Sequence, residues 1–403
     1  MLRRPLPLAL LVFALAWALF VVRLSVPHQM VFDETHYVPA ARAMAALSGP
    51  ANVEHPLLAK WLIAIGIRLY GDTPFGWRFM STLAGAATVA LVFALTWLVT
   101  GRRRPSLVAA LFAVLGFTVY VQARIAMLDT FMLPLLLGAT VAIGAGVRRG
   151  GWGLWMLGAV LLGLAVACKW VAAPYVAFAA AAFVLLKRED ALRWPGLPML
   201  PAVAVLGLVS IATYFLTFAP AFFYATEPMT LARLLPFQLE MYHRQTQVLP
   251  PHTYQAPWWS WPLLVRPIWY LYEPADGAQR GIWMLGNPVV MWAGLAAVAA
   301  CWWGWVKSGS PRLFAVAGLW TGSLAIWAVI PKSLGFYYYY YPSSVFLAIV
   351  LAVALDHWRA RRLELALLAA AGAMAVYFFP VLSAQALSGP AAFKQWTWFR
   401  SWV

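Results

Sequence analysis

Charge is scarce in this chain. Asp, Glu, Lys and Arg make up 10% of its 403 residues, while 64% are apolar and the mean hydropathy is +0.76. That excludes a water-soluble fold, because a chain of this length cannot hide so much apolar surface from water. Cysteine is scarcer still. Cys168 and Cys301 stand far apart and leave no disulfide framework and no thiol-based zinc site. Acids are outnumbered, 13 against 29 bases, for a formal charge of +16. The surplus does not point to nucleic acid, since the bases form short clusters between apolar runs, the pattern of membrane topology signals. Also missing are a Walker loop, a GxGxxG turn, a zinc-type Cys/His spacing and a Ser–His–Asp signature. No repeat or low-complexity tract stands out except the run Tyr337–Tyr341.

What is present is hydrocarbon in bilayer-sized lengths. Eleven apolar runs, at about 6–26, 79–100, 105–121, 126–147, 152–168, 170–186, 197–219, 285–306, 312–331, 338–356 and 363–385, predict an all-α polytopic membrane protein. The first run follows Arg3 and Arg4 and is long for a signal peptide, with no small-residue cleavage site after it, so an uncleaved span is expected. The basic clusters then alternate: Arg3/Arg4, Arg102–Arg104, Arg148/Arg149, Lys187/Arg188/Arg193, Lys307/Arg312 and Arg359/Arg361/Arg362 fall at every second junction. By the positive-inside rule these junctions and the N-terminus are cytoplasmic. An odd number of spans leaves the C-terminus outside. The chain reads as one membrane domain, 1–403, with two long outer loops, 27–78 and 220–284.

Five of the six histidines and nine of the 13 acids fall on the outer side, so the chemistry is expected there. The first outer loop opens on VFDETHY, which places Asp33, Glu34 and His36 directly after the first span. A carboxylate at a low-dielectric boundary can serve as a general base. Alternatively the two acids cap the following helix or pair with Arg42. The segments 38–47 and 56–70 read as amphipathic surface helices, with Glu54 and His55 between them. Arg78, Arg124 and Lys169 each place a cation at the outer end of a span, where charge is costly and marks function. Together they could hold the phosphate of a lipid-linked donor. The alternatives are that Arg78 snorkels and that Arg124 neutralises Asp129; Lys169 has no acid nearby in sequence. The stretch HTYQAPWWSWPLLVRPIWYLYE, 252–273, holding Trp259, Trp261 and Arg266, reads either as an interfacial aromatic belt or as a surface helix lining an acceptor or lipid groove.

FDETHY, EHPLLAKWL, WRF, ARIAMLDTF, GLAVACKW and above all WWSWPLLVRPIWYLYE followed by LGNPVVMW resemble the motifs of the protein O-mannosyltransferases, in family order from residue 31 to about 292. The resemblance implies a GT-C membrane glycosyltransferase using a polyprenyl- or dolichyl-phosphate mannose donor, with no cofactor expected beyond that donor and a divalent metal left open. It puts Asp33 and Glu34 at the acidic pair, Asp33 as base, His55–Pro56 at the His-Pro motif, and Arg78, Arg124 and Lys169 at the basic positions. His36, Glu54, His55, Trp259, Trp261 and Arg266 are then expected to position the acceptor or its loops. Two departures stand out. Leu57 follows Pro56 where the family commonly has a second proline, and loop 220–284 is too short for the β-trefoil of eukaryotic members. A compact bacterial form in the cytoplasmic membrane is implied, transferring mannose to Ser or Thr of secreted or membrane proteins at the outer face. Two rivals remain: a GT-C enzyme acting on lipid A or polysaccharide, and a lipid-linked sugar transporter. The latter lacks the expected two related halves.

Overall fold

The computed structural model describes residues 5–189, 194 and 196–403. Arg3, Arg4 and Arg193, used above as topology signals, lie outside the described residues. In chain order the helices are α1 Leu6–Val21, α2 Glu34–Ala45, α3 Leu58–Tyr70, α4 Pro74–Thr100, α5 Arg103–Leu115, α6 Thr118–Gln122, α7 Leu128–Arg149 and α8 Trp152–Cys168. They continue as α9 Ala173–Glu189, α10 Met199–Leu216, α11 Leu231–Thr246, α12 Pro288–Ser308, α13 Pro311–Ala325, α14 Tyr341–His357 and α15 Arg361–Leu382. Each of the eleven apolar runs is thus helical. Seven of these segments are long and apolar enough to cross a membrane, by length and composition. The other four (α1, α5, α8 and α13) are shorter, 13 to 17 residues. α5 stops at Gly116 because Phe117 takes a left-handed conformation, φ 71°, that breaks the helical ladder.

Helix ends follow local chemistry. α4 begins five residues before the expected start, because Thr73 accepts a hydrogen bond from the Gly76 amide and Pro74 needs no amide partner at the first position. α12 begins at the LGNP motif. Asn287 accepts from Val289 N and donates to the carbonyls of Leu115 and Ala371, tying α12 to α5 and α15. α14, apolar on all sides, is buried along its length and forms the centre of the bundle.

The expected parity is visible in contacts between distant junctions. Arg102 pairs with Asp356 and Arg104 with Glu364, which puts the α4–α5 and α14–α15 junctions on one face. On the opposite face His28 pairs with Asp276, and the C-terminal residues Ser401 and Val403 accept hydrogen bonds from Arg266. The first loop, the large loop and the chain end therefore share a side.

One expectation fails. Residues 252–273 are not a surface helix. A 3₁₀ turn, Trp258–Leu263, leads into an antiparallel hairpin of β1 Ile268–Ala275 and β2 Ala278–Met284. Pro257, Pro262 and Pro267 interrupt any helical ladder. Asp276 and Gly277, both at positive φ (50° and 73°), make the two-residue turn that matches strand twist. Trp269 and Trp283 stack across the pair with ring centroids 4.5 Å apart.

Candidate active site

The site is built where the first loop meets the ends of α4, α7 and α8. Arg124 sits under the end of α1 and donates to the carbonyls of Phe20, Val22 and Arg23, satisfying orphan groups of the helix terminus. Its guanidinium also lies over the Tyr120 ring. Arg78 goes further. All five of its N–H groups are used: two on the Glu34 carboxylate at 2.8 Å each, and three on the carbonyls of Leu24, Pro27 and Gln29. Glu34 in turn accepts from the amides of Val31 and Ala126. This buried cluster fixes the loop between α1 and α2 against α4 and α7. It corrects two expectations. Arg78 has no donor left for a phosphate, and Glu34 has its lone pairs turned to four partners instead of a substrate. The pairing of the acids with Arg42 also fails, since Arg42 pairs with Asp72.

Asp33 is different. It is the residue at the N-cap of α2, yet its side chain makes no capping bond. Its Oδ2 accepts from the Tyr37 hydroxyl at 3.1 Å, and Oδ1 carries no hydrogen bond among the described residues. Burial raises its pKa above the ordinary carboxylate value, opposed by Lys169, the Tyr37 hydroxyl and His36, and reinforced by Asp129. Lys169 is buried and donates to Asp129 Oδ2 at 2.7 Å, with its ammonium 5.3 Å from the ring centres of both Tyr338 and Tyr339. So Asp129 neutralises Lys169, not Arg124. Burial works to lower the Lys169 pKa, but Asp129, Tyr339 and Asp33 hold it above the ordinary value.

His55 faces the same group. Its ring meets Tyr37 edge-on at 5.9 Å, and its buried Nδ1 has no hydrogen-bond partner. Burial, then Lys169, Lys60 and Lys332, hold its pKa well below 6.5, so the imidazole is neutral at neutral pH. Lys60 sets the loop that carries it, donating to the carbonyls of Ala51, Asn52 and His55 at 2.7 to 3.2 Å. Glu54 accepts from Asn52 in that loop. His36 is exposed on α2.

The structure also adds residues the sequence reading did not place. Tyr270, on β1, stacks on Phe32 and accepts a hydrogen bond from the Gln122 side-chain amide, and Phe32 meets Tyr338 edge-on. The run Tyr337–Tyr341 is buried and begins the central helix, with Tyr338 and Tyr339 turned to Lys169. Lys332 precedes that run. It donates to the Gln245 carbonyl at 3.0 Å, and burial and Lys169 lower its pKa to about 8. In the aromatic motif, Trp261 is buried and meets the Tyr339 ring at 6.0 Å, Trp259 is exposed, and Arg266 binds Thr253 and the chain end. Arg266 is therefore a strut of the large loop, remote from the acid and lysine cluster in its contacts. Among the described residues no three His, Cys, Asp or Glu side chains gather into a group able to hold a metal.

Two family profiles match consecutive parts of the chain: dolichyl-phosphate-mannose-protein mannosyltransferase over residues 54–216, and the C-terminal four-span region of protein O-mannosyltransferase over 230–309. The chain belongs to the protein O-mannosyltransferase family. Members with curated names include the polyprenol-phosphate-mannose–protein mannosyltransferase of Mycobacterium tuberculosis, 28% identical over 76% of this chain and 72% of its own length. Among solved structures, the S. cerevisiae protein O-mannosyltransferase Pmt1–Pmt2 complex bound to the sugar donor superposes with a TM-score of 0.83 over 98% of this chain and 92% of that one, at 13% identity. ArnT from Cupriavidus metallidurans bound to undecaprenyl phosphate follows at 0.62, 17% identity, over 91% of this chain and 64% of its own. The fold is that of the GT-C membrane glycosyltransferases, and the segments EHPLLAKWL and ARIAMLDTF, both inside the first matched profile, carry His55, Lys60 and Asp129 of the cluster around Asp33 and the Arg124 that caps the end of α1.

Proposed function

We propose that this enzyme transfers mannose from polyprenyl-phosphate mannose to Ser or Thr hydroxyls of proteins, with inversion, at the outer face of the cytoplasmic membrane. The observation that carries the mechanism is the division of labour among the acids. Glu34 is bound by Arg78 and Asp129 by Lys169, which leaves Asp33 with an open oxygen in a desolvated setting.

An alkyl hydroxyl attacks the anomeric carbon only as its proton is removed. Asp33 takes that proton while the acceptor oxygen bonds to C1 and the C1–O bond to phosphate breaks. The electron pair leaves with the phosphate, whose negative charge increases. That leaving group needs electrostatic stabilisation more than a proton, and the Lys169 ammonium, fixed before the reaction, supplies it. Tyr37 orients the base through Oδ2 and stays protonated, because burial and the neighbouring Asp33 raise its pKa well above 10. His55, neutral and with a free buried nitrogen, is suited to bond a hydroxyl of sugar or acceptor.

The mechanism uses no cofactor of the protein's own, which activity after exhaustive chelation tests. The wider test is turnover of labelled donor by purified protein in detergent, offered a Ser/Thr peptide. Label partitioning with the peptide supports the reading. Label partitioning with lipid supports the second reading, a related GT-C enzyme with a lipid or polysaccharide acceptor, which the likeness to the ArnT fold keeps in view.

A further inference from the structure

With Arg78 saturated and Arg124 at the end of α1, the site has fewer cations for a phosphate than its sequence promised. Lys169 shares its charge with Asp129 at 2.7 Å. A phosphate that gains charge as the sugar leaves calls for a second cation with no carboxylate of its own. Lys332 meets that description among the described residues: its one hydrogen bond goes to a backbone carbonyl, and it stands near enough to Lys169 and His55 to lower the pKa of His55.

Its surroundings have a matching shape. Lys332 lines an open groove of about 350 Å³ whose other walls include Trp258, Trp261, Trp327, Ile330 and Leu334. Trp261 meets Tyr339, and Tyr339 packs against the Lys169 ammonium, so one aromatic ring separates the groove from the cluster around Asp33. Trp327 stacks on the same Tyr339 at 4.7 Å. A groove whose aromatic and aliphatic walls are joined by two neutral polar side chains, Gln255 and Ser333, and a single cationic amine is complementary to an amphiphile with one anionic head and a hydrocarbon tail.

We infer that this groove receives the phosphate end of the lipid-linked donor, with Lys332 on the phosphate and the first isoprene units against Trp258, Trp261 and Trp327. The assignment rests on the donor class proposed above and adds a residue and a path to it. The donor's phosphate lies between Lys332 and Lys169, and the sugar points past Tyr339 to Asp33. A cation needed for the leaving group acts on both donor affinity and rate. The acceptor hydroxyl, held on the Asp33 side, is indifferent to it.

The experiment measures equilibrium binding of radiolabelled undecaprenyl phosphate to purified protein in detergent, for the wild type, Lys332→Met, Lys332→Arg and Leu334→Trp, with thermal unfolding as the folding control. A charge-assisted hydrogen bond implies a tenfold to hundredfold weakening in Lys332→Met. Lys332→Arg restores most of the affinity, and Leu334→Trp, which narrows the groove and leaves the amine, weakens it too. Farnesyl phosphate competes, and inorganic phosphate at the same concentration does not. Unchanged binding in folded Lys332→Met overturns the assignment. So does equal competition by inorganic phosphate, which would reduce the site to a simple anion site. Because binding is read without turnover, a wild type that binds undecaprenyl phosphate yet mannosylates no peptide would sink the proposed reaction and leave Lys332 in place. The Michaelis constant for acceptor peptide, measured on the same variants, stays within twofold of wild type; a selective rise there moves Lys332 to the acceptor and also overturns it.

Discussion

Glu34 and Arg78 form a two-point ion pair, both contacts 2.8 Å, with side chains 0% and 1% exposed. Neighbouring acids in FDETHY therefore do unlike work. Adjacent residues on a helix point about 100° apart. Glu34 turns inward to hold the loop, and Asp33 turns to the cluster of Tyr37, His55 and Lys169. Removing one partner of a buried pair leaves an uncompensated charge and costs about 3–5 kcal/mol. Glu34→Gln is expected to lower the unfolding temperature and the folded yield in detergent, while the folded fraction keeps a near-normal rate. A Glu34→Gln protein of normal stability with no transfer activity would place Glu34 in the chemistry after all.

Lys169→Met is expected to reduce donor use tenfold to a hundredfold, the value of a charge-assisted contact of about 1.5–3 kcal/mol. It also strands the buried Asp129. The double variant Lys169→Met/Asp129→Asn separates the two effects. It should recover stability, read by thermal unfolding, without recovering the donor Michaelis constant. Recovery of both would make the pair structural.

The pH profile follows from the burial of Asp33. A base works deprotonated, and burial raises its pKa. The rate should therefore rise with pH through a midpoint above the ordinary carboxylate value of 3.8. Lys169 lowers that pKa, so in Lys169→Met the acid limb moves to higher pH, whereas Lys169→Arg leaves it near the wild-type position. An unmoved limb in Lys169→Met would show that Asp33 and Lys169 do not face each other.

Sidedness is testable with an impermeant thiol reagent in a background lacking Cys168 and Cys301. Thr253→Cys should label in intact cells and Arg103→Cys should not, because the two positions lie on opposite faces and the positive-inside rule predicts the cytoplasm for the basic one. The reverse pattern would invert the topology.

The membrane part of the fold was legible because bilayer thickness imposes a length and lipid imposes a composition. The eleven runs and their alternating bases needed no partner information. The site was legible only as a set of residues. Which cation meets which acid was not, since Glu34 and Arg78 lie 44 residues apart and Asp129 and Lys169 lie 40 apart. Lys169 has no acid near it in sequence because its acid comes from another span. The hairpin had a readable sign, the Asp276–Gly277 dipeptide between two aromatic-rich runs, but the density of tryptophan in 252–273 suggested a membrane belt first. Lys332 carried no periodic or motif signal, and the run Tyr337–Tyr341 stood out in the sequence without showing what it faces. Only folding onto Lys169 gives them meaning.

The central claim is that Asp33 takes the acceptor's proton. Asp33→Asn keeps the size of the side chain and the bond from Tyr37 but cannot accept that proton. The deciding measurement is single-turnover transfer to a Ser/Thr peptide by purified Asp33→Asn, with binding of undecaprenyl phosphate measured separately. The account predicts a loss of about 10²–10⁴-fold in transfer with binding within a few-fold of wild type. Transfer at a near wild-type rate would contradict it.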